Sequence, residues 1–133
     1  MKTYTYKETT FLNVDLDIYS KSDLEPLVRA MGRQISIMYV GREGRSYSAH
    51  LEIAGLPRNA DSAIRRFAKL INKLPQAERK LWDTARVRDF NIGIQPAFRP
   101  RSYELALAAQ TIETISALGA RVVVTVYAAE SGK

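Results

Sequence analysis

Apolar and polar residues alternate strictly along residues 11 to 19, FLNVDLDIY. Successive side chains of a β-strand point to opposite faces, so this alternation predicts a half-buried strand at the start of the fold. The two faces of the predicted strand differ in character, with Leu12, Val14, Leu16 and Ile18 on the buried side and Asn13, Asp15 and Asp17 on the other.

Four further stretches are rich in the β-branched and aromatic residues that strands favour. They are residues 34 to 40, 46 to 54, 88 to 95 and 121 to 127. Only GREGR separates the first two, which predicts an antiparallel hairpin with a five-residue loop. Gly41 and Gly44 are expected to supply the positive φ angles of that turn.

The segments between these strands show the apolar spacing of helices. Ser22 and Glu25 form an S-x-x-E capping box, which predicts a short helix that ends at Gly32. A longer helix is predicted over residues 61 to 74, where Pro75 interrupts the pattern.

A second helix is expected to begin at about Gln76 and to carry Leu81, Trp82 and Ala85 inward. The last helix is predicted from about Ala109 to Gly119. Before it, residues 103 to 107, YELAL, alternate in polarity, and we interpret them as an extended piece.

The order of these elements predicts an α+β fold, with a mainly antiparallel sheet and helices packed on one face. The β-α-β-β-α-β part follows the pattern of a ferredoxin-like sandwich. A chain of 133 residues suits one domain, and we expect residues 1 to 8 and 129 to 133 to be flexible tails.

The charge balance is basic, with 20 Lys and Arg against 14 Asp and Glu and a net charge of +6. The absence of cysteine excludes thiolate nucleophiles and cysteine-based metal sites. No apolar run approaches the roughly 20 residues of a membrane helix, and the first residues lack the apolar segment of a signal peptide. We therefore expect a cytoplasmic protein without a membrane partner, and no motif predicts a cofactor.

Four titratable residues form a candidate cluster on the polar sides of two predicted strands. Asp15 and Asp17 share a sheet face, and so do His50 and Glu52, because each pair is two residues apart. If the two strands are neighbours in the right register, the cluster has the groups to bind a divalent metal or to perform acid–base chemistry. The alternative is that these side chains only hydrate the open face of the sheet.

A second candidate is an anion-binding or nucleic-acid-binding surface. At 100° per residue, four cations fall on one side of the predicted helix over residues 61 to 74. The alternative is a solvated helix face, and the strands lack the aromatic signature that stacks RNA bases. The residues of this candidate surface, including two that flank Pro100 in a loop, are Arg58, Arg65, Arg66, Lys69, Lys73, Arg99 and Arg101. Arg79, Lys80, Arg86 and Arg88 extend it along the sequence.

Residues 103 to 127, YELALAAQTIETISALGARVVVTVY, combine an extended piece, a helix, Gly119 and a strand that closes on tyrosine. This ending resembles that of a family of small bacterial α+β proteins of unknown function. The opening strand and helix, FLNVDLDIY and SKSDLEPLVRAMG, are similar as well. Such families often carry a tryptophan on a central strand, whereas Trp82 lies in a predicted helix. The family has no established active site, and some relatives look like immunity or accessory proteins, which implies a binding role.

These observations favour a non-enzymatic binding or accessory protein that uses an open sheet face or edge to contact another protein or its own copy. The alternative is nucleic-acid binding through the basic residues between 58 and 88. A hydrolase or metal-dependent enzyme that uses the polar residues of the open sheet face is a further alternative.

Overall fold

The computed structural model describes residues 3 to 4, 8 to 128 and 131 to 132. Within these ranges the strands are β1 (Thr3–Tyr4), β2 (Thr10–Ser20), β3 (Ile35–Glu43), β4 (Ser46–Ile53), β5 (Val87–Gln95), β6 (Arg121–Val126) and β7 (Ser131–Gly132). The helices are α1 (Glu25–Met31), α2 (Ala60–Asn72), α3 (Gln76–Asp83) and α4 (Ala109–Ala117).

Five of the strands form one sheet in the order β3-β4-β2-β5-β6. The β3-β4, β4-β2 and β2-β5 pairs are antiparallel, and β6 lies parallel to β5 at one edge. The prediction of an α+β fold with a mainly antiparallel sheet is confirmed. β1 and β7 form a separate antiparallel ladder, so residues from both of the predicted tails pair with each other.

The helices pack against one face of the sheet around a single hydrophobic core. Asn59 caps α2 by accepting a hydrogen bond from the Ser62 amide at 2.8 Å, and the buried residues of α2 form one stripe. Phe67 from that stripe packs against Phe90 of β5, with 5.9 Å between ring centroids. As predicted, Trp82 points inward; it is fully buried and its Nε1 donates to the Leu118 carbonyl at 3.0 Å.

One residue of β2 departs from the predicted alternation. The pairing of β2 with β5 shifts between Phe11 and Asn13, so that Leu12 is an extra residue in the ladder. A β-bulge of this kind reverses the inward and outward order on one side of it. The expectation that Leu12 is buried is therefore wrong: Phe11 packs against the core instead, and Leu12 is 38% exposed.

The predicted capping box is also absent. No side chain caps α1, and the Glu25 amide instead donates to the Asp23 carboxylate at 3.0 Å. Asp23 stands two residues before Glu25, a spacing at which an aspartate bonds the backbone locally in a turn. Ser22 takes part only through its own amide, which donates to the Ser20 hydroxyl.

The hairpin between β3 and β4 is tighter than predicted. β3 continues to Glu43, so the loop consists of residues 44 and 45 rather than all of GREGR. Gly44 has the left-handed φ of 64° that a two-residue turn requires. Gly41 lies within the strand, where a Cβ atom would stand 3.0 Å from the Tyr39 hydroxyl oxygen. Its role is to let the tyrosine ring lie close to the backbone.

The segment YELAL forms neither helix nor strand and does not join the sheet. Leu105 and Leu107 pack against the core, whereas Tyr103 is 38% exposed. The segment, which lies between β5 and α4 in the chain, therefore packs its two leucines against the core.

Candidate functional site

The face of the sheet opposite the helices carries most of the polar strand residues. Val14, Leu16 and Ile18 of β2 point into the core, so Asp15, Asp17 and their neighbours point the other way. No described helix contributes to the core from that side. We call this surface the open face.

The register of β2 and β4 brings the four residues of the predicted cluster together. Asp15 lies directly opposite Glu52, and Asp17 lies directly opposite His50. Directly opposed residues of an antiparallel pair share a face, with Cβ atoms about 5 Å apart. The sequence could not show this convergence, because strand order and register depend on packing across the whole sheet.

Asn13 links the carboxylates at one end of the cluster. Its amide nitrogen donates to Glu52 Oε1 at 2.7 Å and lies 3.4 Å from Asp15 Oδ1. One amide thus holds two carboxylates side by side without neutralising either of them.

Asp17 and His50 form a hydrogen-bonded pair at the other end, with 2.7 Å between Asp17 Oδ1 and His50 Nδ1. The imidazole lies between two tyrosine rings. Its centroid is 5.5 Å from that of Tyr19, in an edge-to-face arrangement, and 6.4 Å from that of Tyr39. A carboxylate at Nδ1 fixes the orientation of the ring.

The electrostatic environment of the open face is negative. The pKa of Asp15 is raised from 3.8 to about 6, mainly by burial and also by the nearby Glu52 and Asp17 carboxylates, against a smaller opposite effect of His50. Burial also raises the pKa of Tyr19, with additional effects of Glu43, Asp17 and Asp89. At Asp15, the effect of the neighbouring carboxylates therefore exceeds the opposite effect of His50.

Ser48 points to the same face as His50 but is fully buried. It lies between Tyr19 of β2 and Gly41 of β3, the residue against which the Tyr39 hydroxyl rests. Its hydroxyl has no hydrogen-bond partner among the described residues. The neighbouring side chains thus exclude solvent from Ser48.

Two further pairs on the open face were missed by the sequence reasoning. Arg121 of β6 donates two hydrogen bonds of 2.8 Å to the Asp89 carboxylate of β5. Thr125 donates to the Asn91 side chain at 2.8 Å. The polar residues of the strand over residues 88 to 95 could be identified from the sequence, but their pairing with a parallel neighbouring strand could not.

The cluster has the groups for proton exchange: an oriented imidazole and the Asp15 carboxyl, whose pKa is raised to about 6. Within residues 8 to 128, no group of three or more His, Asp and Glu side chains is arranged to hold a metal ion. The metal-binding role of Asp15, Asp17, His50 and Glu52 therefore stays a prediction.

The predicted anion-binding residues do not form one free surface. Arg65 pairs with Asp61 at 3.1 Å, and the half-buried Arg66 donates to the Ala54 carbonyl at 3.3 Å. Of the remaining residues, those that are exposed and form no ion pair within the described part of the chain are Arg58, Lys69, Lys73, Arg99 and Arg101.

Arg88 has a structural position that the sequence did not reveal. Its guanidinium donates to the carbonyls of Trp82, Asp83 and Gly119 at 2.8 to 3.1 Å. It also lies over the Trp82 ring, with 5.9 Å from Cζ to the ring centroid. Arg88 therefore joins the ends of α3 and α4 and is not available to a phosphate.

No protein-family model, curated protein or solved structure matches this chain. The resemblance of residues 103 to 127 to small bacterial α+β proteins thus stays a prediction. None of the helices in the described ranges has the length and apolar character needed to span a membrane.

Proposed function

We propose that the protein is a non-enzymatic binding protein. Its open face binds lysine or arginine side chains of a partner protein. One observation carries this proposal: the carboxylates of Asp15, Asp17 and Glu52 are grouped on an uncovered sheet face of a chain with a net charge of +6. Complementary charge selects partners and steers their approach.

The side chains of the cluster compensate the negative charge of its carboxylates only in part, which supports a partner with cationic side chains. Asn13 contributes hydrogen bonds but no charge, and His50 is bonded to Asp17 rather than to the Asp15 and Glu52 carboxylates. A lysine or arginine between Asp15 and Glu52 would relieve their repulsion, which adds to burial in raising the pKa of Asp15. Tyr39, 45% exposed beside His50, offers an aromatic surface of the kind enriched at interfaces.

The same charges argue against a symmetric dimer through this face. A two-fold axis would place one acidic cluster against the other at neutral pH, and like charges in opposition cost binding energy. A basic partner protein meets no such penalty. We therefore assign the open face to a different protein rather than to a second copy.

The strand order supports a ferredoxin-like core in this proposal. The order β3-β4-β2-β5, with α1 after β2 and the α2–α3 pair after β4, agrees with the connectivity expected of that sandwich, which β6 would extend. In such a core the helices cover one face only, which leaves the other face for binding. Function still depends on the residues of the face and not on the fold.

A labelled lysine-rich peptide tests the proposal by fluorescence anisotropy at low and at physiological salt. We expect the double variant Asp15→Asn, Glu52→Gln to weaken peptide binding about tenfold. The matched control, Asp23→Asn with Glu25→Gln, changes net charge equally at exposed positions near α1 and should change affinity less than about twofold. Equal losses in both variants would mean that only net charge matters, and the assignment of the open face would fail.

Phosphate binding by the helical layer is a second candidate. A groove of about 250 Å³ lies between α2 and α4, with Lys69 and Arg65 on its α2 side and Gln110 and Thr114 on its α4 side. Lys69 forms no ion pair among the described residues, so its charge is available to a nucleic-acid backbone. A gel shift that disappears in Lys69→Glu and at higher salt would favour this function, and the absence of any shift at low salt would exclude it.

A further inference from the structure

The outer edge of β6 is an unprotected strand edge. Residues 122 to 126, VVVTV, contain no charged side chain, and Val122, Val124 and Val126 are 40%, 55% and 60% exposed. Among the described residues, no strand pairs with this edge. Long apolar edges promote association in soluble proteins, and natural sheets usually block them with charges, bulges or covering segments.

The opposite edge of the same sheet carries such protection. The ladder of β3 with β4 shifts between Ile37 and Tyr39, which leaves Met38 as an extra residue. Beyond that bulge the strand carries the charged residues Arg42 and Glu43. Bulges and charges hinder the approach of a further strand, so the two edges of the sheet differ in their capacity to pair.

The backbone of β6 has free groups in a regular pattern. Tyr127 donates its amide to the Ile94 carbonyl of β5, so residue 127 and the odd-numbered residues of β6 face β5. Backbone direction alternates along a strand, and the amides and carbonyls of Val122, Val124 and Val126 therefore face away from the sheet. The residues with free backbone groups are the three exposed valines.

We propose that β6 pairs with β6 of a second copy of the chain, antiparallel and about a two-fold axis at Val124. This register places Val124 opposite Val124 and Val122 opposite Val126 of the second copy, so the outward backbone groups meet in about six hydrogen bonds. The valines of both copies form one continuous row, and the two sheets become one with the helices on the same side.

The charges along β6 are compatible with a second copy as the occupant. In this register Arg121 lies opposite Tyr127 of the other chain, so no two like charges face each other across the new ladder. Arg121 is also held by its own Asp89 on the open face. Because each copy carries +6, moderate salt should strengthen the dimer by screening, whereas it would weaken the complex with an acidic partner.

The dimer does not depend on the proposed function. It uses the edge and leaves the Asp15 and Glu52 carboxylates of both copies accessible. Failure of the lysine peptide to bind would leave this inference intact, and a monomeric chain that binds the peptide would overturn only the dimer.

Disulfide trapping tests the register, because the natural chain contains no cysteine. Val124→Cys stands at the two-fold axis, where Cα atoms of a hydrogen-bonded pair are about 5.5 Å apart, within disulfide range. We expect it to give a covalent dimer on mild oxidation. Val122→Cys alone should not, whereas a mixture of Val122→Cys and Val126→Cys chains should cross-link.

Sedimentation equilibrium across a concentration series gives the second measurement. The natural chain should dimerise, Val124→Lys should be monomeric because two lysines would meet at the axis, and Ile37→Lys on the β3 edge should still dimerise. Circular dichroism verifies that each variant folds. A natural chain that stays monomeric, a dimer unaffected by Val124→Lys, or a folded dimer in which Val124→Cys fails to cross-link would overturn the proposal.

Discussion

The two faces of the sheet are built from the same strands but obey different physical requirements. On the helical face, Leu16 and Ile18 are fully buried among apolar side chains. On the open face, Asp15 and Asp17, their immediate neighbours in the chain, lie among other carboxylates, and the pKa of Asp15 is raised. Packing explains the first face, whereas the burial and mutual repulsion of carboxylates on the second cost stability, and binding is the benefit that we propose for it.

The largest loss of stability should come from removing a buried side chain on the helical face. Phe67→Ala removes a fully buried ring that packs against Phe90, and we expect it to lower the free energy of unfolding by about 3–5 kcal/mol. Tyr39→Ala on the open face should cost about 1 kcal/mol or less, because the ring is already 45% exposed. Urea denaturation of both variants checks the difference; similar losses would show that the open face is also core.

A smaller loss is expected where a charge supports the helical face. Arg88→Met keeps an apolar stem but leaves the carbonyls of Trp82, Asp83 and Gly119 without their donor, at a cost of about 2 kcal/mol. Arg86→Met removes one exposed contact to Ser46 and should cost less than about 0.5 kcal/mol. Denaturation midpoints that shift equally in the two variants would contradict the structural role of Arg88.

On the open face, removal of a charge should raise the free energy of unfolding rather than lower it. In the folded chain Asp15 keeps its proton up to about pH 6, whereas an unfolded aspartate loses it near 3.8. Its contribution to stability is therefore fully present below pH 3.8 and is lost as the pH rises to about 6. We expect Asp15→Asn to be more stable than the natural chain at pH 7.5, by at most about 2 kcal/mol after solvent screening, and equal to it near pH 3.5.

Thermal melts at the two pH values test this prediction. Glu25→Gln, an exposed partner of Arg29 on α1, serves as the control and should show no comparable gain at pH 7.5. A gain of the same size in Asp15→Asn at both pH values would mean that an effect other than ionisation is responsible.

The contrast between the faces also separates what sequence reasoning found from what it missed. Alternation along β2 correctly placed Leu16 and Asp15 on opposite faces, because side-chain direction in a strand is a local property. The bulge at Leu12 escaped the same reasoning, since it depends on how β2 pairs with β5. Local patterns therefore predicted elements well and irregularities poorly.

The candidate site could likewise be predicted only where it depends on local spacing. Spacing showed that Asp15 and Asp17 share a face, but only the register of β2 with β4 shows that Glu52 and His50 lie opposite them. The basic residues illustrate the converse. Helical periodicity grouped Arg65 with Lys69, yet Arg65 is paired with Asp61, and Arg88 is held by three carbonyls. Charge counts from a sequence do not reveal which charges are already bound.

Chemical-shift mapping with a lysine-rich peptide shows which surface of the protein binds the peptide. In amide correlation spectra of the isotope-labelled protein, we expect titration to shift residues 13 to 19 of β2 and 48 to 52 of β4, with little change along α2 and α3. The shifts should fade with added salt. Shifts confined to the helical layer, or none on these two strands at low salt, would contradict the assignment of the open face as the binding surface.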